Sequence, residues 1–280
     1  MVLPAAGGNA QIREMRATTG ALWFIAQTRD GFAIISTDLT GRLKVNVALP
    51  IGSRAAGLAV TSRGIATIIQ KGRQGILTEF DEKGSQTSQV NVSCYTSESL
   101  LTINGNPATV CPDGTINEFS PGRAPLRRSS WARPGALVES LSTKQLAIVD
   151  QATGQAVLND LDHARILTVS TSIPEIDEAL QYTRAAAQQF TKSQPIEAPP
   201  LGRQLIVMST AHDNVAWYEL VWPYNRRVGP SVVKISNTGQ LLKRIRCRVP
   251  NATGSLHKID VGSGYLILGS VAGEVFLFKL

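Results

Sequence analysis

Residues Ala33-Ile34-Ile35-Ser36-Thr37-Asp38-Leu39-Thr40-Gly41, continued by Arg42-Leu43-Lys44-Val45-Asn46-Val47 and closed by Leu49-Pro50, decide the fold. Alternating apolar and polar positions on both sides of a polar, glycine-ended turn read as two strands of a hairpin. The same grammar returns in Ile76 to Gly84 before Gln86 to Val92, and in Val232 to Gly239 before Gln240 to Val249. Leu146 to Gly154 reads as a further relative. Gly41 and Gly84 stand 43 residues apart, which fits one four-stranded propeller blade of about 40 to 50 residues.

Upstream of each hairpin lies a second repeated form, an alternating strand that ends in a small-residue turn before another apolar strand. Gly57-Leu58-Ala59-Val60-Thr61-Ser62-Arg63-Gly64 followed by Ile65 to Gln70 is the clearest copy. Gln11 to Gly20, Leu100 to Gly105 and Leu256 to Gly264 open others, with a divergent copy at Leu137 to Ser142 and a longer one at Gln204 to Ser209. Six openings predict an all-β, six-bladed β-propeller occupying residues 1–280 as a single domain. The last copy offers three strands, ending at Glu274 to Leu280, while Val2-Leu3-Pro4 precedes the first opening as Leu49-Pro50 precedes the second. The expectation is a ring closed by both termini, with the N-terminal stub serving as the outer strand of the last blade.

One region, 171–200, breaks the period. Ser172-Ile173-Pro174-Glu175 reads as a helix start, and Ile176, Leu180, Thr183, Ala187 and Phe190 follow at helical spacing. An inserted amphipathic helix with a Pro-rich linker, Lys192 to Pro200, is predicted, packing its apolar stripe on one face of the disc.

The repeats can be set beside known families. Gly57-Leu58-Ala59-Val60 with Gly64, then Ile76 to Phe80 with Asp81-Glu82-Lys83-Gly84, resembles a blade of the NHL and SMP-30-like six-bladed propellers. The Asp-x-x-Asn-x-Arg usual in that family between second and third strands is replaced by Gln70-Lys71-Gly72-Arg73-Gln74-Gly75. The Gly-His and Trp-Asp marks of WD40 repeats are missing. Asp150-Gln151-Ala152-Thr153-Gly154 is similar to a turn of quinoprotein-type propellers, but occurs once.

Charge and composition bound the function. Hydrophobic residues make up 43% and charged residues 18% of the 280, a folded rather than disordered composition, and no apolar run is long enough for a membrane-spanning helix. The net charge of +7 favours acidic partners, and the basic residues cluster: Arg123, Arg127, Arg128 and Arg133; Arg226 and Arg227; Lys243, Arg244, Arg246 and Arg248. Cys94, Cys111 and Cys247 are too dispersed for a zinc site; Cys94 and Cys111 pair if the chain is secreted, or stay as buried thiols.

Catalytic motifs are missing: there is no G-x-S-x-G, H-E-x-x-H or Walker loop, and His163, His212 and His257 stand alone. Arg16, Glu139, His257, Lys258 and Asp260 are expected near the central channel, where Glu139 and Asp260 form either a structural ion pair or part of a cation site. No metal and no cofactor is expected. The candidate binding residues are Trp217, Tyr218, Trp222, Tyr224, Arg226 and Arg227, the one place where aromatic rings gather beside arginines; alternation through Trp217, Glu219 and Val221 equally suits a core strand.

The leading expectation is a non-catalytic binding propeller presenting a basic, partly aromatic face to a protein or anionic polymer. A metal-dependent hydrolase or lactonase of SMP-30 type, which the resemblance implies, is the alternative, and nucleic-acid binding through the basic face a third. Export to a periplasmic or extracellular space is preferred over the cytoplasm, and the oligomeric state is left open.

Overall fold

In the computed structural model, the described residues are 10–72, 74–95, 100–130, 132, 135–163, 165–169, 174, 176, 177, 181, 207–213, 215–221, 230–247 and 256–280. They form six antiparallel sheets, each a meander in which sequence neighbours pair. Blade 1 is β1 (Gln11–Thr18), β2 (Ala21–Thr28), β3 (Gly31–Thr37) and β4 (Leu43–Ala48), and blade 2 is β5 (Arg54–Thr61), β6 (Gly64–Lys71), β7 (Gln74–Phe80) and β8 (Gln86–Val92). Blade 3 runs β9 (Leu100–Ile103), β10 (Asn106–Val110), β11 (Thr115–Glu118) and β12 (Leu126–Ser129). Blade 4 runs β13 (Ala136–Ser140), β14 (Gln145–Asp150), β15 (Ala156–Asp160) and β16 (Arg165–Thr168). Blade 5 has β17 (Val207–Asp213), β18 (Ala216–Val221), β19 (Ser231–Ser236) and β20 (Leu241–Arg246); blade 6 has β21 (Leu256–Gly262), β22 (Tyr265–Ser270) and β23 (Val275–Lys279).

The first strands touch in a cycle, β1 to β5 to β9 to β13 to β17 to β21 and back to β1, so the ring is closed around a central channel. Blade 6 packs directly on blade 1: Lys258 pairs with Glu14 (2.8 Å), and the His257 imidazole Nε2 lies 2.6 Å from the Ile12 carbonyl oxygen. The expected all-β, six-bladed propeller architecture is therefore present. The stub Val2-Leu3-Pro4, expected to complete blade 6, lies outside the described residues, as does most of the predicted helix. Of that stretch Pro174, Ile176, Asp177 and Gln181 are described, each in helical conformation, and Ile176 is buried with Leu137, Val149 and Trp217.

The repeated hairpin grammar has a local cause. In the turn after β3 the Asp38 carboxylate accepts the backbone N–H groups of Thr40 and Arg42, both at 2.9 Å. After β7, Asp81 does the same for Lys83 (2.9 Å) and Ser85 (2.8 Å), and after β19 the Ser236 hydroxyl accepts from Thr238 and Gln240. A short acceptor side chain followed by glycine is a self-capping turn, which is why it recurs. Leu146 to Gly154 uses the same device one position earlier in its blade: Asp150 caps a turn between the second and third strands, not the third and fourth as the pattern suggested. Local turn chemistry is identical at both places, so sequence grammar could not tell them apart.

The first strands share an irregularity too. β1, β5, β17 and β21 each carry a register shift within their first few residues. In β5 it falls at Gly57, whose φ of 68° and whose approach to Leu100 of the next blade leave no room for a Cβ.

Hydrophobic cores sit between blades rather than inside them. Trp23, Ile25, Ile34 and Val45 of blade 1 pack on Leu58, Ile65 and Phe80 of blade 2, and an equivalent cluster fills each of the other five seams. Alternation along the middle strands makes this possible: both faces of each sheet are buried, and successive side chains go to opposite neighbours.

Candidate functional site

Three surfaces could act: the channel, the cleft over its end, and the rim formed by the outer strands. In the channel Arg16 reaches from blade 1 across to Glu139 of the opposite blade 4, Nη2 to Oε1 at 3.6 Å. Its Nε donates to the Leu58 carbonyl (3.1 Å), and the Thr210 hydroxyl donates to the same Glu139 oxygen (3.0 Å). Asp260 accepts the Ala17 N–H. Burial works against the Arg16 charge, but Glu139, Asp260 and Glu14 together hold its pKa above the ordinary value. Burial pushes the Asp260 carboxyl up to about 6, although Arg16 and the Ala17 N–H pull it down. Arg16, Glu139 and Asp260 thus meet at the channel as expected, while His257 and Lys258 stitch blade 6 to blade 1.

This arrangement answers the ion-pair alternative for Glu139. A buried carboxylate must be compensated, and here an arginine supplies the positive charge. Among the described residues no group of three or more His, Cys, Asp or Glu is arranged to hold a metal ion.

Over one end of the channel opens a cleft of about 1130 Å³, on the face that carries the β1–β2, β5–β6 and β21–β22 turns. Its wall includes Thr18, Trp23, Lys44, Ser62, Arg63, Lys83, His212 and Ser263, from blades 1, 2, 5 and 6. Burial lowers the His212 pKa below its ordinary value against the pull of Glu139 and Asp213, so the ring is neutral at pH 7. Asp213, also in the wall, accepts the Tyr218 hydroxyl at 2.7 Å and the N–H groups of Val215 and Ala216.

Beside the cleft a polar belt crosses the seam between blades 2 and 3. Arg63 holds Glu79 of its own blade (2.8 Å) and Asn106 of blade 3 (3.2 Å); Asn106 donates to Glu118 (3.1 Å), which pairs with Arg128 (3.5 Å). Sequence reasoning missed this belt because Glu79 and Asn106 lie 16 and 43 residues from Arg63, and no local pattern links them.

The rim is basic. The outer strands β4, β8, β12, β16 and β20 carry Lys44, Arg127, Arg128, Arg165, Lys243, Arg244 and Arg246, and not one Asp or Glu. Two of the sequence clusters, Arg127 with Arg128 and Lys243 to Arg246, are thereby placed on outer strands of blades 3 and 5. Exposed aliphatic side chains stand beside these cations: Leu43, Leu126, Leu167 and Leu242. Charged residues guard sheet edges against pairing with other chains, but a guard of either sign would serve; the uniform sign is the informative feature.

Of the candidate binding residues, Trp217 and Tyr218 are fully buried. They lie on β18, a middle strand, where Trp217 fills the seam to blade 4 and Tyr218 the seam to blade 6. As recognition residues they are corrected to core: a ring at 0% exposure cannot meet a partner without unfolding the blade. Trp222, Tyr224, Arg226 and Arg227 lie outside the described residues. The same strand buries Glu219, which takes a hydrogen bond from the Trp217 indole (3.0 Å) on one oxygen and has no partner on the other. Burial pushes its carboxyl up to about 7.

Cys94 and Cys111 form a disulfide with a Cα separation of 5.2 Å, so the paired alternative holds; it ties the entry to blade 3 to the end of β10. Cys247 is a buried free thiol whose pKa burial pushes up to about 11.

No protein-family model matches the sequence, and no curated protein matches it. Solved structures do share the fold. A Bacteroides caccae protein of unknown function is similar over 92% of this chain and 88% of its own, with a TM-score of 0.57 and 15% identity. Virginiamycin B lyase from Staphylococcus aureus matches over 100% of this chain and 87% of its own, with a TM-score of 0.55 and 9% identity. The WD40 domain of Neurospora crassa Pan2 matches over 95% of this chain and 74% of its own, with a TM-score of 0.52 and 10% identity. At such identities the likeness is one of fold. It extends to WD40 propellers although the sequence lacks their marks, because the blade meander is common to both.

Proposed function

We propose that this propeller is a non-catalytic binding module whose basic rim engages an acidic protein or other anionic polymer. One observation carries the reading: the outer strands present seven cations and no acid. Inner charges are neutralised by partners within the fold, whereas Lys243 and Arg246 project from an exposed edge. A long anionic chain that follows the rim would gather several such contacts, each releasing counterions. The Trp222 to Arg227 segment, directly after β18, belongs to this proposal as its aromatic part.

The rival hydrolase built on Glu139 and Asp260 finds less support. A cation there would have to displace Arg16, whose charge both carboxylates already share. The Cys94–Cys111 disulfide supports placing the protein in an oxidising compartment such as the periplasm or cell exterior.

The test is retention on immobilised heparin and on polyglutamate across a salt series, for the native protein and for a Lys243→Ala, Arg244→Ala, Arg246→Ala variant. The proposal expects retention at low salt that falls steeply with ionic strength and a clearly shallower dependence in the variant. Absence of retention on both matrices, or identical salt curves, would falsify it.

A further inference from the structure

The cleft over the channel holds a feature the rim does not explain. Lys83 lies in the turn after β7 and Lys44 on β4, and these two segments are in direct contact across the seam between blades 1 and 2. At Gly84, with φ at 82°, a Cβ would fall 2.5 Å from the Val45 side chain and 3.0 Å from that of Val47. Both lysines are exposed, and both line the cleft. Lys44 donates to the Gly20 carbonyl at 3.3 Å, and neither lysine forms an ion pair with a described residue.

The nearby carboxylates are committed elsewhere. Asp38, which senses the Lys44 charge, is held by its own turn through Thr40 and Arg42, and Asp81 by Lys83 N–H and Ser85 N–H. Glu82 also lines the cleft, as an exposed acceptor. Around the remainder of the wall the hydroxyls of Thr18, Ser62 and Ser263 donate to backbone carbonyls, and Ser263 also accepts the Gly20 N–H, so each oxygen keeps acceptor capacity for a ligand. Of the other charged groups in the wall, Arg63 is paired with Glu79 and Asp213 with Lys234, which leaves Lys44 and Lys83 as its two lysines, with Glu82 and the hydroxyls as acceptors.

We propose that the cleft binds a phosphate monoester of a small polyhydroxylated molecule, its dianion between Lys44 and Lys83 and its hydroxyls donating to Thr18, Ser62, Ser263 and Glu82. Two ammonium groups match a dianion better than a single carboxylate, and lysine binds phosphate as a point charge. A volume of about 1130 Å³ accommodates two sugar rings and lies near the upper range of ligand pockets, roughly 300 to 1,000 Å³. This site shares Lys44 with the outer strands but is separable from the rim proposal, since Lys83 is not on an outer strand and blades 3 to 5 contribute no lysine or arginine to it.

Isothermal titration with trehalose 6-phosphate, trehalose and inorganic phosphate tests it. The phosphorylated disaccharide is expected to bind at least about tenfold more tightly than either fragment, and Lys83→Ala or Lys44→Ala to lower that affinity about tenfold, the loss of one charge-assisted hydrogen bond. Both lysines are exposed, so the variants fold, which circular dichroism verifies. The Lys243→Ala, Arg246→Ala variant should bind trehalose 6-phosphate unchanged, separating this site from the rim. No measurable binding of trehalose 6-phosphate, equal binding of trehalose, equal binding of inorganic phosphate, or lysine variants that bind as the native protein does would each overturn the proposal.

Discussion

The first strand and the last strand of a blade are built from the same alternating pattern, yet they treat charge in opposite ways. On the first strands Arg16 answers Glu139, Lys258 answers Glu14, and Asp260 keeps a backbone N–H. The described outer strands carry cations and no acid of their own, Arg128 pairing with Glu118 of the neighbouring strand while Lys243 and Arg246 are exposed. Water explains the difference. A charge facing the channel loses most of its hydration and survives only beside a partner, whereas an exposed one such as Lys243 stays hydrated and needs none. Charge is thus balanced where it faces the channel and of one sign on the described outer strands.

The sharpest way to break that comparison is Arg16→Ala. Removing one partner leaves Glu139 and Asp260 facing each other uncompensated, at an expected cost of about 3 kcal/mol in chemical denaturation. An Arg16→Met, Glu139→Leu, Asp260→Asn triple variant should recover most of the loss, because no buried charge is then stranded. If the single variant is as stable as the native protein, the channel pair is not structural.

A similar loss, also about 3 kcal/mol for a loop spanning 17 residues of sequence separation, is expected when the Cys94–Cys111 disulfide is reduced. Unfolding without reductant should then expose a single reactive thiol, Cys247, which is silent in the folded protein because its pKa sits near 11. Two or three thiols under those conditions would show that the bridge does not form.

Glu219 supplies a buried charge with no cationic answer, and so the pH test. Its folded-state pKa, about 7, is raised above the ordinary 4.5, so the folded state holds the proton more tightly than the unfolded chain. Its contribution is fully present below about pH 4.5 and is lost as pH rises through 7. Glu219→Gln keeps an acceptor for Trp217 and cannot ionise; it should raise stability by about 2 kcal/mol at pH 8 and change little at pH 4. Equal effects at both values would mean that Glu219 titrates normally.

The smallest expected change in stability is on the rim. Each of Lys243→Ala, Arg246→Ala and Arg165→Ala should shift folding by less than about 0.5 kcal/mol, while their combination flattens the salt dependence of polyanion retention. Stability losses rivalling those of Arg16→Ala would erase the distinction between the two kinds of strand.

Much of this was legible before any coordinates. Asp38 to Gly41 and Asp81 to Gly84 announce their turns because the turn's energetics are local, an Asp acceptor and a glycine within four residues. Asp150 to Gly154 shows the limit: the same chemistry served a different turn, and only strand pairing assigns it. Arg16, Glu139 and Asp260 were placed near the channel from their positions on opening strands. Their mutual pairing was not, because Arg16 and Glu139 belong to opposite blades. Trp217 and Tyr218 drew attention as an aromatic concentration; burial on both faces of β18 made them core, which one strand read alone does not reveal.

What the sequence determined by itself was the unit and its number: alternation and self-capping turns are properties of a few adjacent residues, and six copies of them specify six sheets. What the tertiary structure alone decided was who faces whom. The cores formed between blades, the Arg63 to Arg128 belt crossed the seam between blades 2 and 3, and the turn that carries Lys83 rests against β4 only because Gly84 has no Cβ. Those contacts join residues tens of positions apart through the closure of a ring, and no periodicity along a chain encodes the angle at which one sheet meets the next.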